Sequence, residues 1–140
     1  MTRRYRYLVP LLLVVSGTLA ACSSSKASHS AASLLPVRSV AAGAVEVKIT
    51  PAELDASGAK FTIVLDTHSA DLSLDLTTTS QLNVGGTAWA VDGWTGDGPG
   101  GHHRTGQLRF TAKGPAQGTA TLRISGLPEP VEATWELGGG

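Results

Sequence analysis

From Val45 onward, apolar residues recur at every second position. Val45, Val47 and Ile49 alternate with Glu46 and Lys48. Phe61, Ile63 and Leu65 alternate with Thr62 and Val64, and Leu72, Leu74 and Leu76 with Ser73 and Asp75. Successive side chains leave a strand on opposite sides, so this period marks strands with one buried face. Leu82 and Val84, Thr87 to Val91, Leu108 and Phe110, Ala120 to Ile124, and Val131 to Leu137 continue the pattern. Gly85-Gly86 reads as a two-residue hairpin turn, because glycine accepts the positive φ such turns need. Pro51 is expected to end the first strand, and a long glycine-rich loop is expected over residues 92–106. With about seven or eight short strands, turns roughly every 8 to 12 residues and no helical period, the expected fold is an all-β, immunoglobulin-like antiparallel β-sandwich over residues 44–138. Trp89, Trp135, Phe61 and Phe110 are its expected core. Trp94, within the glycine-rich loop, is expected to cover one end.

The first 21 residues follow a different logic. A short basic segment with Arg3, Arg4 and Arg6 precedes an apolar run from Leu8 to Leu19. The run falls short of the roughly 20 apolar residues a spanning helix needs and fits the apolar region of a signal peptide. It ends Leu19-Ala20-Ala21-Cys22, which resembles the bacterial lipobox. That resemblance implies cleavage before Cys22, lipidation of Cys22 and an extracytoplasmic location. The anchor would lie on the outer face of the cytoplasmic membrane, or in the outer membrane where the host has one, with Ser23 resembling the outer-membrane sorting case. Acyl chains contribute about 0.8 kcal/mol per buried methylene, so a multiply acylated cysteine holds a membrane stably. Residues 22–43 are expected to be the lipidated cysteine and a flexible tether, poor in large apolar groups. His29 falls in it and is given no role.

Charge narrows the partners. Three of the 11 basic residues lie in the leader, so a processed chain keeps eight against 11 acidic ones, a net charge near −3. A nucleic-acid partner needs a basic face that displaces counterions from phosphate, and none is expected here. A polybasic hold on anionic lipid is excluded on the same ground. Cys22 is the single cysteine, so no internal disulfide is available and packing must supply the stability.

Two polar segments interrupt the strand pattern: Leu65-Asp66-Thr67-His68-Ser69, and Gly98-Pro99-Gly100-Gly101-His102-His103-Arg104-Thr105-Gly106. In this order, with Trp94 before the second and Leu108 and Phe110 after it, they resemble a family of exported bacterial and archaeal β-sandwich proteins with no known function. The resemblance covers roughly residues 61–110 and implies no activity.

Ser69, His68 and Asp66 hold the residue types of a hydrolytic triad. Neighbours in an extended chain face opposite ways, so His68 is badly placed to serve Ser69. No Gly-x-Ser-x-Gly elbow occurs, and no phosphate-binding glycine motif precedes a helix. No catalytic residues are assigned, and a non-enzymatic protein is expected. A metal site is the sharper possibility. His68, His102, His103 and Asp66 offer imidazole and carboxylate donors suited to copper or zinc. Asp66 and His68 share a strand face, and Gly100-Gly101 lets the chain turn so that both following histidines need not point apart. Arg104 opposes a cation there, and the strand count leaves open whether the two segments meet. The alternative is an anion, small ligand or partner loop captured by backbone N–H groups at Gly100 and Gly101 with the forked cation of Arg104. A third reading is structural: Asp66, His68 and Arg104 hydrogen-bond loop backbone.

Overall fold

The computed structural model describes residues 35–138. The expected signal peptide, Cys22 and His29 lie outside the described residues. Among the described residues there are eight strands: β1 Arg38–Ala42, β2 Val45–Asp55, β3 Gly58–Thr67, β4 Ser80–Val84, β5 Thr87–Gly96, β6 His103–Thr111, β7 Gly118–Ile124 and β8 Val131–Leu137, with a four-residue helix α1, Leu76–Thr79, before β4. They form one antiparallel sheet in the order β1-β2-β3-β6-β5-β4-β7-β8. The sheet curls until its two edges lie side by side. Arg38 Nε donates to the Thr134 carbonyl at 3.0 Å, and Trp135 Nε1 to the Pro36 carbonyl at 2.7 Å. The architecture is therefore a nearly closed barrel, and the expected immunoglobulin-like sandwich is wrong.

The reason lies in β5. A sandwich needs one strand to end the first sheet and another to begin the second. Here Thr87–Trp89 pair with β4 while Ala90–Gly96 pair with β6, so β5 carries the ladder across the point where a sandwich would divide. Register shifts at Pro51/Glu53 in β2 and Val91/Gly93 in β5 add the twist that closure requires. Period-two alternation looks the same in both architectures, because each has one apolar face.

An eight-stranded barrel is just wide enough for side chains to fill it. Phe61 on β3 meets Trp135 on β8 across the interior at 5.3 Å between ring centroids, and Phe110 edge-on at 6.1 Å. Trp89, Leu65, Leu108, Leu122 and Ile124 are buried around them. The aromatics expected in the core are all there.

Several local expectations also differ. The tether does not reach residue 43, because Arg38–Ala42 pairs with β2 from Ile49 to Val45. Pro51 does not end β2, which runs on through the register shift to Asp55. The loop expected over residues 92–106 shrinks to 97–102, and Trp94 lies within β5, paired with Leu108. Leu72, Leu74 and Leu76 do not make a strand. Residues 68–75 are irregular and cross the barrel end, with Leu72 and Leu76 buried. Asp75 starts the short helix instead, its carboxylate accepting from the Thr77 N–H at 2.9 Å and the Thr77 hydroxyl at 2.7 Å. A side-chain acceptor at a helix start satisfies an N–H that has no partner within the helix. Those bonds hold the Asp75 carboxyl below its ordinary value.

Candidate functional site

Losing the expected third strand brings the two polar segments together. β3 rises to the end of the barrel that carries the β1–β2 turn. Residues 68–79 then pass over that end to β4, which descends, and β5 rises again. Loop 97–102 therefore lies at the same end, and β6 descends beside β3. Asp66 pairs directly with His103, and the next N–H, that of Thr67, donates to the His102 carbonyl at 2.9 Å. Gly100 and Gly101, at φ 103° and 78°, take the left-handed turn that delivers His102 and His103 to this edge.

Alternation then sorts the side chains. Asp66 and His103 point outward and are just over half exposed. His103 Nδ1 donates to Asp66 Oδ1 at 2.5 Å. That bond, and the negative charge behind it, raise the His103 pKa above its ordinary 6.5, with a smaller contribution from Asp97. His68 and His102 are exposed. All four residues border an open groove of about 840 Å³, walled on its other side by β1 and the start of β2. The cross-strand register Ala41–Glu46–Asp66–His103 adds a residue not singled out in the sequence: Glu46 directly neighbours Asp66 on the same outer face. Its only sequence signal was a polar position in an alternating strand, shared by Lys48 and many others.

Arg104 behaves differently from its neighbours. Its side chain turns into the barrel and is 2% exposed. Nη1 donates to the Leu72 and Leu74 carbonyls at 2.7 and 2.8 Å, and Nη2 to the Asp97 carbonyl at 3.4 Å. The Trp94 ring lies over the guanidinium, 5.7 Å from its carbon. Gly106 allows this, since a Cβ there would stand 2.5 Å from the Trp94 ring. The expected anion fork at Arg104 is thus not at the surface. The Gly100 N–H also points inward, donating to the Leu72 carbonyl at 3.0 Å, so two of the three groups proposed for an anion are engaged within the protein. Among the described residues, no three of His, Cys, Asp and Glu are close enough together to hold a metal ion.

The raised His103 pKa has a direct consequence. Folding favours the imidazolium, so the Asp66–His103 pair adds stability below the unfolded value near 6.5, and this is lost as pH rises through the higher folded value. The difference in unfolding midpoint between the native chain and Asp66→Asn should be greater just below pH 6.5 than above the folded His103 value, where it should shrink. A difference that grows with rising pH would contradict the pairing.

No protein-family model, no curated protein and no solved structure matches the chain, so the site is read from its own geometry.

Proposed function

We propose that the chain is an extracytoplasmic lipoprotein, anchored through acylated Cys22, whose barrel is a non-catalytic binding module. Its binding face is the groove beside β1, β2, β3 and β6, where His103 takes a copper(II) or zinc ion together with His68 or His102. The observation that carries this reading is the Asp66–His103 hydrogen bond at the open end of the barrel. A carboxylate on Nδ1 fixes the ring and its tautomer and leaves Nε2 as the donor atom, the arrangement that metal-binding histidines almost always have. Imidazole suits both ions, and no soft sulfur ligand is available at the site. In this reading Asp66 orients the ring rather than ligating, and two imidazoles are the protein's ligands, since no third His, Cys, Asp or Glu among the described residues converges with them.

Two measurements test it. Cys22→Ala should abolish labelling by radioactive palmitate and leave a soluble or uncleaved protein; continued labelling would refute the anchor. Calorimetric titration of the full chain with copper(II) and zinc should give one-to-one binding that is lost in His103→Ala, weakened about 10–100-fold in Asp66→Asn, and unchanged in His29→Ala. Binding that survives His103→Ala would refute the site.

One observation favours a second reading. The lack of three converging ligands among the described residues fits a groove that contacts a protein partner instead. The native chain would then bind neither ion.

A further inference from the structure

Arg104 is the most deeply buried charged residue described, at 2% exposure, and the proposed ligands do not include it. Burying a guanidinium away from water is costly unless its donors find acceptors. Among the described residues no carboxylate forms an ion pair with it. Its acceptors are instead three backbone carbonyls, those of Leu72, Leu74 and Asp97, while Nε has no acceptor. The acceptors come from two separate stretches. Leu72 and Leu74 belong to the irregular segment that begins at His68, and Asp97 opens the loop that ends at His102. The two stretches also touch directly, through the Gly100 N–H on the Leu72 carbonyl, which Arg104 shares.

Residues 68–75 have no strand ladder of their own. Their placement depends on Leu72 and Leu76 packing inward, on Thr67 Oγ1 accepting from the Ser69 and Ala70 N–H groups at 3.3 and 3.0 Å, and on Arg104. We propose that Arg104 is a positioning residue: its guanidinium clamps the His68 segment to the 97–102 loop and so sets the spacing between His68 and His102/His103. Strand alternation makes this possible, because it sends His103 out to the groove and Arg104 in beneath it. The planar fork matters as much as the charge. A lysine ammonium is a single point and cannot hold three carbonyls in this arrangement. The inference rests on the metal reading only for its consequence at the ligands; the clamp itself is independent of any ion.

The test is Arg104→Lys in the full chain, with Trp94→Leu as a second variant. Trp94→Leu removes the ring that holds the guanidinium from above and so loosens the fork while keeping its charge. If the lysine variant does not fold, the same two changes, smaller in size, are expected of Trp94→Leu, and their absence would overturn the clamp. Two quantities are read at a temperature where far-ultraviolet circular dichroism shows each variant folded. The first is hydrogen exchange at the Gly100 N–H, expected to be at least about tenfold faster in Arg104→Lys, while the β2–β3 amides keep their protection. The second is zinc affinity, expected to fall about tenfold or more with His103 still paired to Asp66. Unchanged Gly100 exchange would overturn the clamp. Faster exchange with native affinity would overturn its role in spacing the histidines. If the native chain binds no zinc, the metal reading fails, and the exchange result alone decides whether Arg104 joins the two segments.

Discussion

Trp135→Ala is expected to destabilise the folded chain by about 3–5 kcal/mol, the range for truncating a large buried aromatic. Three observations place Trp135 at the top of that range. It is 1% exposed, it meets Phe61 across the interior, and its Nε1–H seals the gap between the barrel's edges by donating to the Pro36 carbonyl. The alanine variant loses the packing, opens a cavity and leaves the Pro36 carbonyl without this donor. Trp135→Phe separates these effects: it keeps most of the packing and loses the seam hydrogen bond, for about 1 kcal/mol. Chemical denaturation of both variants checks the pair of values. A Trp135→Ala change below about 0.5 kcal/mol, typical of surface sites, would place the residue outside the core.

Removing residues 1–43 should be about as damaging. A chain starting at Ala44 lacks β1, which pairs with β2 along its whole length and brings the buried Ala42 and the Arg38–Thr134 contact. It also loses the Pro36 acceptor for Trp135 and exposes the β2 edge, a template for association with other chains. Compared with a chain starting at residue 35, the shorter one should unfold roughly 10 °C lower or more, at about 4–8 °C per kcal/mol for a domain of this size, and should aggregate at lower concentration. Matching midpoints by scanning calorimetry would mean that β1 contributes nothing to the fold.

These two expectations mark where the sequence was legible and where it was not. The alternation at Phe61, Ile63, Leu65, Trp135 and Leu137 identified the strands and the residues that fill the interior. It could not identify a barrel, because closure depends on β5 changing partner along its length, and no local pattern records that. β1 was hidden for another reason. Arg-Ser-Val-Ala-Ala carries one large apolar residue, so it reads like the serine- and alanine-rich stretch before it. It becomes a strand because the β2 edge offers it a ladder. Leu72, Leu74 and Leu76 misled in the opposite direction: their spacing is that of a strand, yet they pack from a crossing segment that ends in a helical turn capped by Asp75. That one error left the meeting of the histidine segments undecided. The four candidate ligands named from the sequence, Asp66, His68, His102 and His103, do border one groove. The partition between His103 outside and Arg104 inside was not, because it required knowing that β6 begins at His103.

The most direct test of the account is nitrogen-15 NMR of the histidine side chains in the full chain during zinc titration, above pH 7. The account predicts that His103 is held with its proton on Nδ1 toward Asp66. On adding one equivalent of zinc, its Nε2 resonance moves by far the most, accompanied by His68 or His102 and not by His29. Resonances at His68, His102 and His103 that stay in place through the titration, or a shift led by His29, would contradict it.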